Sequence, residues 1–252
     1  MRGVNLPSFF LSKNEEIVRL LLSKKKGVRS LRCYAEKYCK KNRNLCSESC
    51  SGYVILKALY KLSRIPERYC YNIPLVPERS DLSAFEELKS FMETVEDRVS
   101  AGDGLYIWSE GVGNGKTSWA CKIMSYYFRK IAFKTGIENE GLYIYLPSFL
   151  DDLRMSYGED PDPDFQEVLS MIKNCKLLIM DDVGAERSSE WVNERLLSII
   201  NSRIMSGLST IYTSNLSLSD LESNVGKRIT SRIIGSTKEI HLVGKDKRGG
   251  VK

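Results

Sequence analysis

Residues 108–117 read Trp-Ser-Glu-Gly-Val-Gly-Asn-Gly-Lys-Thr, and this stretch decides the expected fold. A short apolar run, Leu105–Trp108, leads into it, and a helical pattern over Thr117–Phe133 follows. Closely spaced glycines allow backbone N–H groups to turn inward around a phosphate chain without side-chain clashes. The start of the following helix adds its partial positive charge. A strand, a glycine-rich loop with Gly-Lys-Thr and a helix together predict a phosphate-binding P-loop.

Each residue type in this loop has an expected task. Lys116 would neutralise the β- and γ-phosphates of ATP, and the Thr117 hydroxyl would be a ligand of Mg²⁺. The full pattern has glycine six residues before the lysine, where this chain has Glu110. That departure affects the entrance of the loop and leaves its Gly-Lys-Thr core intact. The predicted nucleotide-binding residues of the loop are Gly111, Val112, Gly113, Asn114, Gly115, Lys116, Thr117 and Ser118.

Short apolar runs alternate with helical segments along the rest of the chain. Such buried runs, separated by longer amphipathic segments, are typical of a parallel sheet covered on both faces. We therefore predict an α/β fold, a three-layer α/β/α sandwich. The predicted strands are Leu105–Trp108, Leu142–Leu146, Lys176–Met180, Thr210–Thr213 and Glu239–Val243. The predicted helices are a helix from Ser83 to about Val99 with a capping box, Thr117–Phe133, Phe165–Lys173 and Glu190–Met205.

Two adjacent carboxylates follow one of these strands. Leu177–Met180 is apolar, and Asp181 and Asp182 emerge at its carboxyl end, where open α/β sheets bind ligands. Asp181 would hold Mg²⁺, directly or through water. Asp182 would polarise the water that attacks the γ-phosphate. Adjacent acids also occur as simple helix caps, but their position after an apolar strand favours the catalytic interpretation.

Polar residues farther along complete the expected site. Asn215 follows the strand Thr210–Thr213, and taken alone it could equally be a turn-former. Arg232 is the residue we choose as an arginine finger, with Arg228 in reserve, because a guanidinium can reach a neighbour's γ-phosphate with bidentate geometry. Surface arginines on a helix remain the alternative.

The composition bounds the class of protein. The chain has 252 residues, 42% of them hydrophobic and 28% charged, which is typical of a globular protein and not of a disordered one. No stretch approaches the ~18 apolar residues that a membrane span needs. Glu15, Glu16 and Arg19 interrupt the apolar patches at the start, which argues against a signal peptide. We expect the protein to stay in the cytoplasm, the compartment where it is made.

The first part of the chain differs from the rest. Residues 1–70 carry a formal charge of +11 and residues 71–252 carry −5, so a basic piece precedes an acidic body. Four of the seven cysteines fall within 18 residues of this first part: Cys33, Cys39, Cys46 and Cys50. Four thiolates suffice for a tetrahedral Zn²⁺ site, which would stabilise a small helical module. Thiols without a metal and an iron–sulfur cluster are the alternatives.

The order of the motifs resembles the DnaC/DnaI family of helicase loaders, and phage-encoded forms most of all. It is also similar to the IstB-type ATPases that assist transposases. The resemblance extends from Ile65-Pro66-Glu67-Arg68-Tyr69 through the P-loop and Asp181-Asp182 to Thr213-Ser214-Asn215 and Ser231-Arg232. It implies an AAA+ core with sheet order 5-1-4-3-2 and no C-terminal lid. It further implies that Asn215 orients the attacking water and that Arg248 contacts the γ-phosphate.

The same resemblance implies a function and a set of partners. Residues 1–64 would be a helicase-binding module, and residues 65–252 an AAA+ ATPase domain. The protein would load a DnaB-type hexameric helicase onto single-stranded DNA, and its subunits would associate on the helicase ring. The acidic and aromatic segment Phe149–Phe165 resembles the region where such loaders touch DNA.

Three other functions stay open from the sequence. A transposase-assisting ATPase shares the core motifs, and binding to duplex DNA would favour it. A small-molecule kinase shares the P-loop but does not need the arrangement of Asn215 and Arg232. A non-catalytic adaptor would bind nucleotide and leave it intact.

Overall fold

The protein is built on a five-stranded parallel sheet. The computed structural model describes residues 38–39, 47, 49–70, 75–136, 138–156, 163–185 and 189–246. The strands are β1 Gly104–Trp108, β2 Gly141–Tyr145, β3 Leu177–Asp181, β4 Ser209–Ser214 and β5 Thr237–His241. Their order in the sheet is β2-β3-β4-β1-β5, and every neighbouring pair is parallel. The predicted order 5-1-4-3-2 is therefore confirmed.

Helices cover both faces of this sheet, as a buried parallel sheet requires. One apolar cluster joins α1 to α4 with one face, and a second joins α5 to α9 with the other. The described helices are α1 Ser51–Leu62, α2 Leu82–Glu93, α3 Val95–Ala101, α4 Lys116–Ile131, α5 Leu146–Met155, α6 Pro163–Asn174, α7 Glu190–Met205, α8 Leu218–Val225 and α9 Lys227–Ser236. The predicted three-layer α/β/α sandwich is confirmed.

Two local predictions differ from the structure. The helix expected from Ser83 to Val99 is two helices, α2 and α3, because Thr94 leaves helical geometry at φ −103° and ψ 19°. The predicted capping box is absent: α2 begins at Leu82, and Asp81 occupies the N-cap position without capping the helix. The Asp81 carboxylate instead accepts hydrogen bonds from the backbone of Val243 and Gly244. A tertiary contact thus replaces the expected local one.

Helix α1 packs against α4, the helix that follows the glycine-rich loop. Leu56, Leu59 and Tyr60 lie in the same apolar cluster as α4. Just after α1, the carbonyl of Ser63 accepts a hydrogen bond from the backbone N–H of Tyr143 in β2, at 2.7 Å. The boundary between the two regions at residue 64 stays a prediction, and residues 1–37 lie outside the described part of the chain.

A buried arginine ties α7 to the sheet. Arg203 is 1% exposed. Its guanidinium donates to the carbonyls of Ile172, Cys175 and Ser209, and its Nε donates to the Thr210 hydroxyl. Backbone carbonyls and a hydroxyl thus satisfy this buried cation, which fixes the ends of α6 and α7 on the sheet.

We expect Arg203→Met to lower the free energy of unfolding by about 3 kcal/mol, because three buried carbonyls would lose their donors. Urea unfolding of the full chain followed by circular dichroism measures this. Arg154→Met is the matched control, since Arg154 lies in an exposed ion pair with Asp151. Equal stability losses in the two variants would contradict the role given to Arg203.

Candidate functional site: a phosphate loop beside paired carboxylates

The glycine-rich loop lies at the carboxyl end of β1, directly before α4. Gly113 has φ +76° and Gly115 has φ +102°. Both values lie in the left-handed region, which glycine adopts at little cost and which L side chains rarely adopt. These two glycines therefore allow the backbone to curl into the first turn of α4, which leaves helix N–H groups directed at the loop.

Lys116 lies within the loop and is 8% exposed. Its ammonium donates to the carbonyl of Gly111 at 2.9 Å, and to the carbonyl of Ser109 and Oδ1 of Asn114 at 3.4 Å each. Neutral acceptors thus hold the charge at the mouth of the loop. An ammonium held this way can turn to a phosphate oxygen, which is a stronger, charged acceptor.

Asp181 is the centre of a compact group of oxygen atoms. Its Oδ1 accepts hydrogen bonds from the hydroxyls of Thr117, at 2.7 Å, and Thr213, at 2.6 Å. Its Oδ2 accepts one from the Tyr143 hydroxyl at 2.7 Å. The structure therefore brings together the two predicted Mg²⁺ ligands, Thr117 and Asp181. Hydroxyl and carboxylate oxygens are the hard ligands that Mg²⁺ prefers.

Asp182 lies next to this group in an unusual backbone conformation. Its φ is +66°, which is uncommon outside glycine. Its backbone N–H donates to the Thr213 hydroxyl at 3.0 Å, which helps to hold that conformation. Nδ2 of Asn215 donates to Oδ1 of Asp182 at 2.9 Å, and the Tyr145 hydroxyl donates to Oδ2 at 3.3 Å. The structure thus joins the two predicted catalytic residues, Asp182 and Asn215.

Tyr143, Tyr145 and Thr213 are site residues that the sequence reasoning missed. The register between β2 and β3 places Tyr145 opposite Asp181, so both tyrosine hydroxyls reach the acidic pair. Burial, together with the nearby Asp181 carboxylate, raises the pKa of Tyr143 far above its usual value. Its hydroxyl therefore keeps its proton and stays a donor. The alternation Tyr143-Ile144-Tyr145 puts both tyrosines on the same face of β2. Together with the expected strand order, which places β2 beside β3, it could have indicated their contact with the acidic pair.

Within its own chain, the predicted arginine finger, Arg232, bonds to α7 and to its own helix. Arg232 lies on α9, where its Nε donates to Asn201 of α7 and its Nη1 donates to the carbonyl of Arg228 at 2.9 Å. Arg228 is exposed near the start of the same helix. A finger that acts on a neighbouring subunit has no reason to contact its own loop, so its role stays a prediction.

The structure describes only two of the four predicted zinc ligands. Cys39 and Cys50 are described, whereas Cys33, Cys46 and the predicted γ-phosphate contact Arg248 lie outside the described residues. Within the described ranges, no group of three or more His, Cys, Asp or Glu residues is arranged to hold a metal ion. Since two of the four cysteines are outside that search, the zinc site also stays a prediction.

None of the helices in the described part of the chain has the length and apolar character that crossing a bilayer requires.

The parallel sheet, with a glycine-rich loop between β1 and α4 and carboxylates at the end of β3, has the arrangement of a P-loop fold of the AAA+ type. No family model matches the chain. The replicative helicase loader DnaI of Bacillus subtilis (strain 168) is 25% identical over 186 residues, which cover 69% of this chain and 56% of that protein. This chain thus spans little more than half the length of that curated relative.

Two solved structures are similar as well. A putative primosome component from Streptococcus pyogenes serotype M3 is 26% identical, with a TM-score of 0.57 over 76% of this chain and 98% of that one. A DnaC helicase loader is 24% identical, with a TM-score of 0.56 over 70% and 99%. The resemblance to the DnaC/DnaI type that the motif order predicts is confirmed.

Proposed function

We propose that this protein is an ATP-dependent loader of a hexameric, DnaB-type replicative helicase onto single-stranded DNA. One observation carries the proposal: three groups of residues lie together at the carboxyl ends of the parallel strands. They are the phosphate loop, the hydrogen-bonded pair Thr117–Asp181 and the hydrogen-bonded pair Asp182–Asn215. The likeness to DnaI in sequence supports the choice of helicase loading among the functions of AAA+ proteins.

Nucleotide binding rests on the loop and on the oxygen atoms beside it. The backbone of residues 111–118 and the Lys116 ammonium would bind the phosphates of ATP. Thr117 and Asp181 would hold Mg²⁺, because their oxygens already lie within hydrogen-bond distance of each other. Mg²⁺ bound there supplies positive charge against the phosphates. Tyr143 and Thr213 keep the Asp181 carboxylate in place.

Hydrolysis would use Asp182 as the proton acceptor and Asn215 as its orienting partner. A water oxygen forms a bond to the γ-phosphorus, and the bond from that phosphorus to the bridging oxygen of ADP breaks. The water gives a proton to the Asp182 carboxylate, and ADP and phosphate are the products. Both oxygens of Asp182 have donors in the structure, so one must be exchanged for water before the reaction.

Association of subunits would complete the site. Arg232, or Arg228 in reserve, would reach the γ-phosphate held by a neighbouring copy, and Arg248 would contact it from the same chain. Arg232 would exchange its bond to Asn201 for a stronger, charged acceptor. ATP would then order loader subunits on the helicase ring, and hydrolysis would release them.

A strand-displacement experiment tests the loading function. A closed helicase ring cannot thread onto circular single-stranded DNA, so displacement of an annealed oligonucleotide reports loading. We expect displacement by the host's DnaB-type helicase only when this protein and ATP are both present. Displacement that does not depend on this protein would contradict the proposal. Preferential binding to duplex DNA and stimulation of a transposase would support the transposase-assisting alternative instead.

The zinc proposal has its own prediction. If Cys33, Cys39, Cys46 and Cys50 bind Zn²⁺, elemental analysis of the purified protein should find about one zinc per chain. Serine at Cys33 or Cys46 should release it, because a hydroxyl is a far poorer ligand than a thiolate. Cys175→Ser is the control, since that buried thiol lies between α6 and β3. Protein purified under reducing conditions without chelator and found to hold no zinc would refute the site.

A further inference from the structure

The chain that follows β5 crosses the phosphate loop. Hydrogen bonds hold it to the loop and β1 on one side and to the segment before α2 on the other. We call residues 242–246 the strap. At its start, the Leu242 N–H donates to the carbonyl of Trp108 at 2.9 Å, and the Leu242 carbonyl accepts from Nδ2 of Asn114 at 3.3 Å. The strap is therefore fixed to the end of β1 and to the loop itself.

A buried carboxylate holds the middle of the strap. Asp81 is 4% exposed, and its Oδ1 accepts hydrogen bonds from the N–H of Val243 at 2.7 Å and of Gly244 at 3.1 Å. The next N–H, of Lys245, donates to Oε1 of Glu78 at 3.1 Å. A Cβ atom on Gly244 would overlap Oδ2 of Asp81, so only glycine permits this approach. Three consecutive backbone donors of the strap are thus bound to two carboxylates.

The far end of the strap places a third carboxylate, that of Asp246, against the loop. Asp246 packs on Gly113 so closely that a Cβ atom on Gly113 would overlap Oδ1 of Asp246. Gly113 belongs to the turn of backbone that cradles phosphates in the proposed function. A nucleotide bound there would bring its negative phosphates close to the carboxylate of Asp246. Like charges at such short range repel each other strongly.

We propose that the strap is an autoinhibitory gate on the nucleotide site: Asp81 anchors it, and the Asp246 carboxylate at Gly113 opposes the binding of nucleoside di- and triphosphates. This inference rests on the proposed nucleotide binding and deepens it. Tight binding requires the strap to carry Asp246 away from the loop. That movement breaks the hydrogen bonds from the strap to Asp81 and Glu78, which costs free energy. The affinity for nucleotide therefore depends on the strap as well as on the loop.

The test is the affinity of the full chain for a fluorescent ATP analogue and for the matching ADP analogue, measured by titration. Asp246→Asn keeps the shape of the side chain and removes its charge, so Kd should fall about tenfold for both analogues. The gain should shrink in about 1 M salt, where the Debye length is about 3 Å. Asp97→Asn makes the same charge change on the exposed side of α3 and should leave Kd unchanged.

A second variant tests the anchor without changing any charge. Gly244→Ala places a methyl group against Asp81, which should displace the strap and also lower Kd. Because displacement of the strap in Gly244→Ala would already move the Asp246 carboxylate away from Gly113, Asp246→Asn should add little in the Gly244→Ala background. Hydrogen exchange at residues 243–245 should become faster in Gly244→Ala, which shows that the strap has been released.

The outcomes separate this inference from the proposed function. If Asp246→Asn binds the analogues no more tightly than the wild type, the gate is refuted while nucleotide binding stands. If Gly244→Ala does not tighten binding, or if the two gains add fully, the anchored strap is refuted. If neither the wild type nor Asp246→Asn binds either analogue, the proposed nucleotide binding fails, and the gate fails with it.

Discussion

Lys116→Ala is expected to weaken binding of an ATP analogue by at least about 100-fold, while the fold stays intact. The ammonium donates hydrogen bonds to acceptors in or next to its own loop, whereas apolar side chains of α4 hold that helix on the sheet. Its loss removes the charge that would be paired with the β- and γ-phosphates, and bonds between charged groups are the strong ones. Titration with a fluorescent analogue measures the affinity, and thermal unfolding monitors the fold.

The matched control for this change is Lys122→Ala. Lys122 lies on the same helix, α4, at 5.9 Å from the ring of Trp119, and away from the loop. We expect it to bind the analogue with wild-type affinity. If Lys116→Ala binds the analogue with an unchanged Kd, the proposal that this loop binds the phosphates of ATP is contradicted.

Asp182→Asn is expected to retain nucleotide binding and to lower kcat by about 100-fold or more, because an amide cannot accept the proton from water. The hydrogen bond from Asn215 can be kept by the amide oxygen, so the loss should be chemical and not structural. Phosphate release at saturating ATP and Mg²⁺ measures kcat. The control is Asp220→Asn, an exposed carboxylate at the start of α8. If Asp182→Asn hydrolyses ATP at the wild-type rate, Asp182 is not the general base and another carboxylate must accept the proton.

Mixing variants extends this test to the shared site. Arg232→Ala should bind ATP normally and lose the part of its turnover that rises with protein concentration. A mixture of Arg232→Ala and Asp182→Asn chains should regain activity, because some interfaces then combine an intact base with an intact finger. Inactivity at every mixing ratio would argue against a finger in trans.

Local patterns were sufficient to predict the α/β fold and to place the candidate site residues at one edge of the sheet. The P-loop, Asp181-Asp182 and Asn215 each follow a short apolar strand, and parallel strands bring their carboxyl ends to one edge. The sheet order came from the resemblance and not from such patterns. Helix α5 was missed because Leu146 begins it, although the apolar pattern extended the preceding strand to that residue.

Contacts between distant segments could not be predicted in the same way. Tyr143 and Tyr145 act through the register of β2 on β3, which no local pattern specifies. Arg203 stands in the last turn of α7, where a basic residue usually faces water, and only the packing of α6 and the sheet explains its burial. Asp81 directly precedes a helix in the chain, yet the partners of its carboxylate are about 160 positions away.

The packing of α1 has a consequence for how the sheet meets other molecules. β2 is an edge strand, and an edge strand offers unpaired N–H and C=O groups to any other extended chain. The Ser63 carbonyl takes one of those donors, and α1 lies on α4 beside it. A fragment that begins after Ser63 would leave this edge open and would uncover the apolar surface of α4. Edge-to-edge aggregation would then compete with ordered assembly, so α1 shields the sheet from unwanted strand pairing.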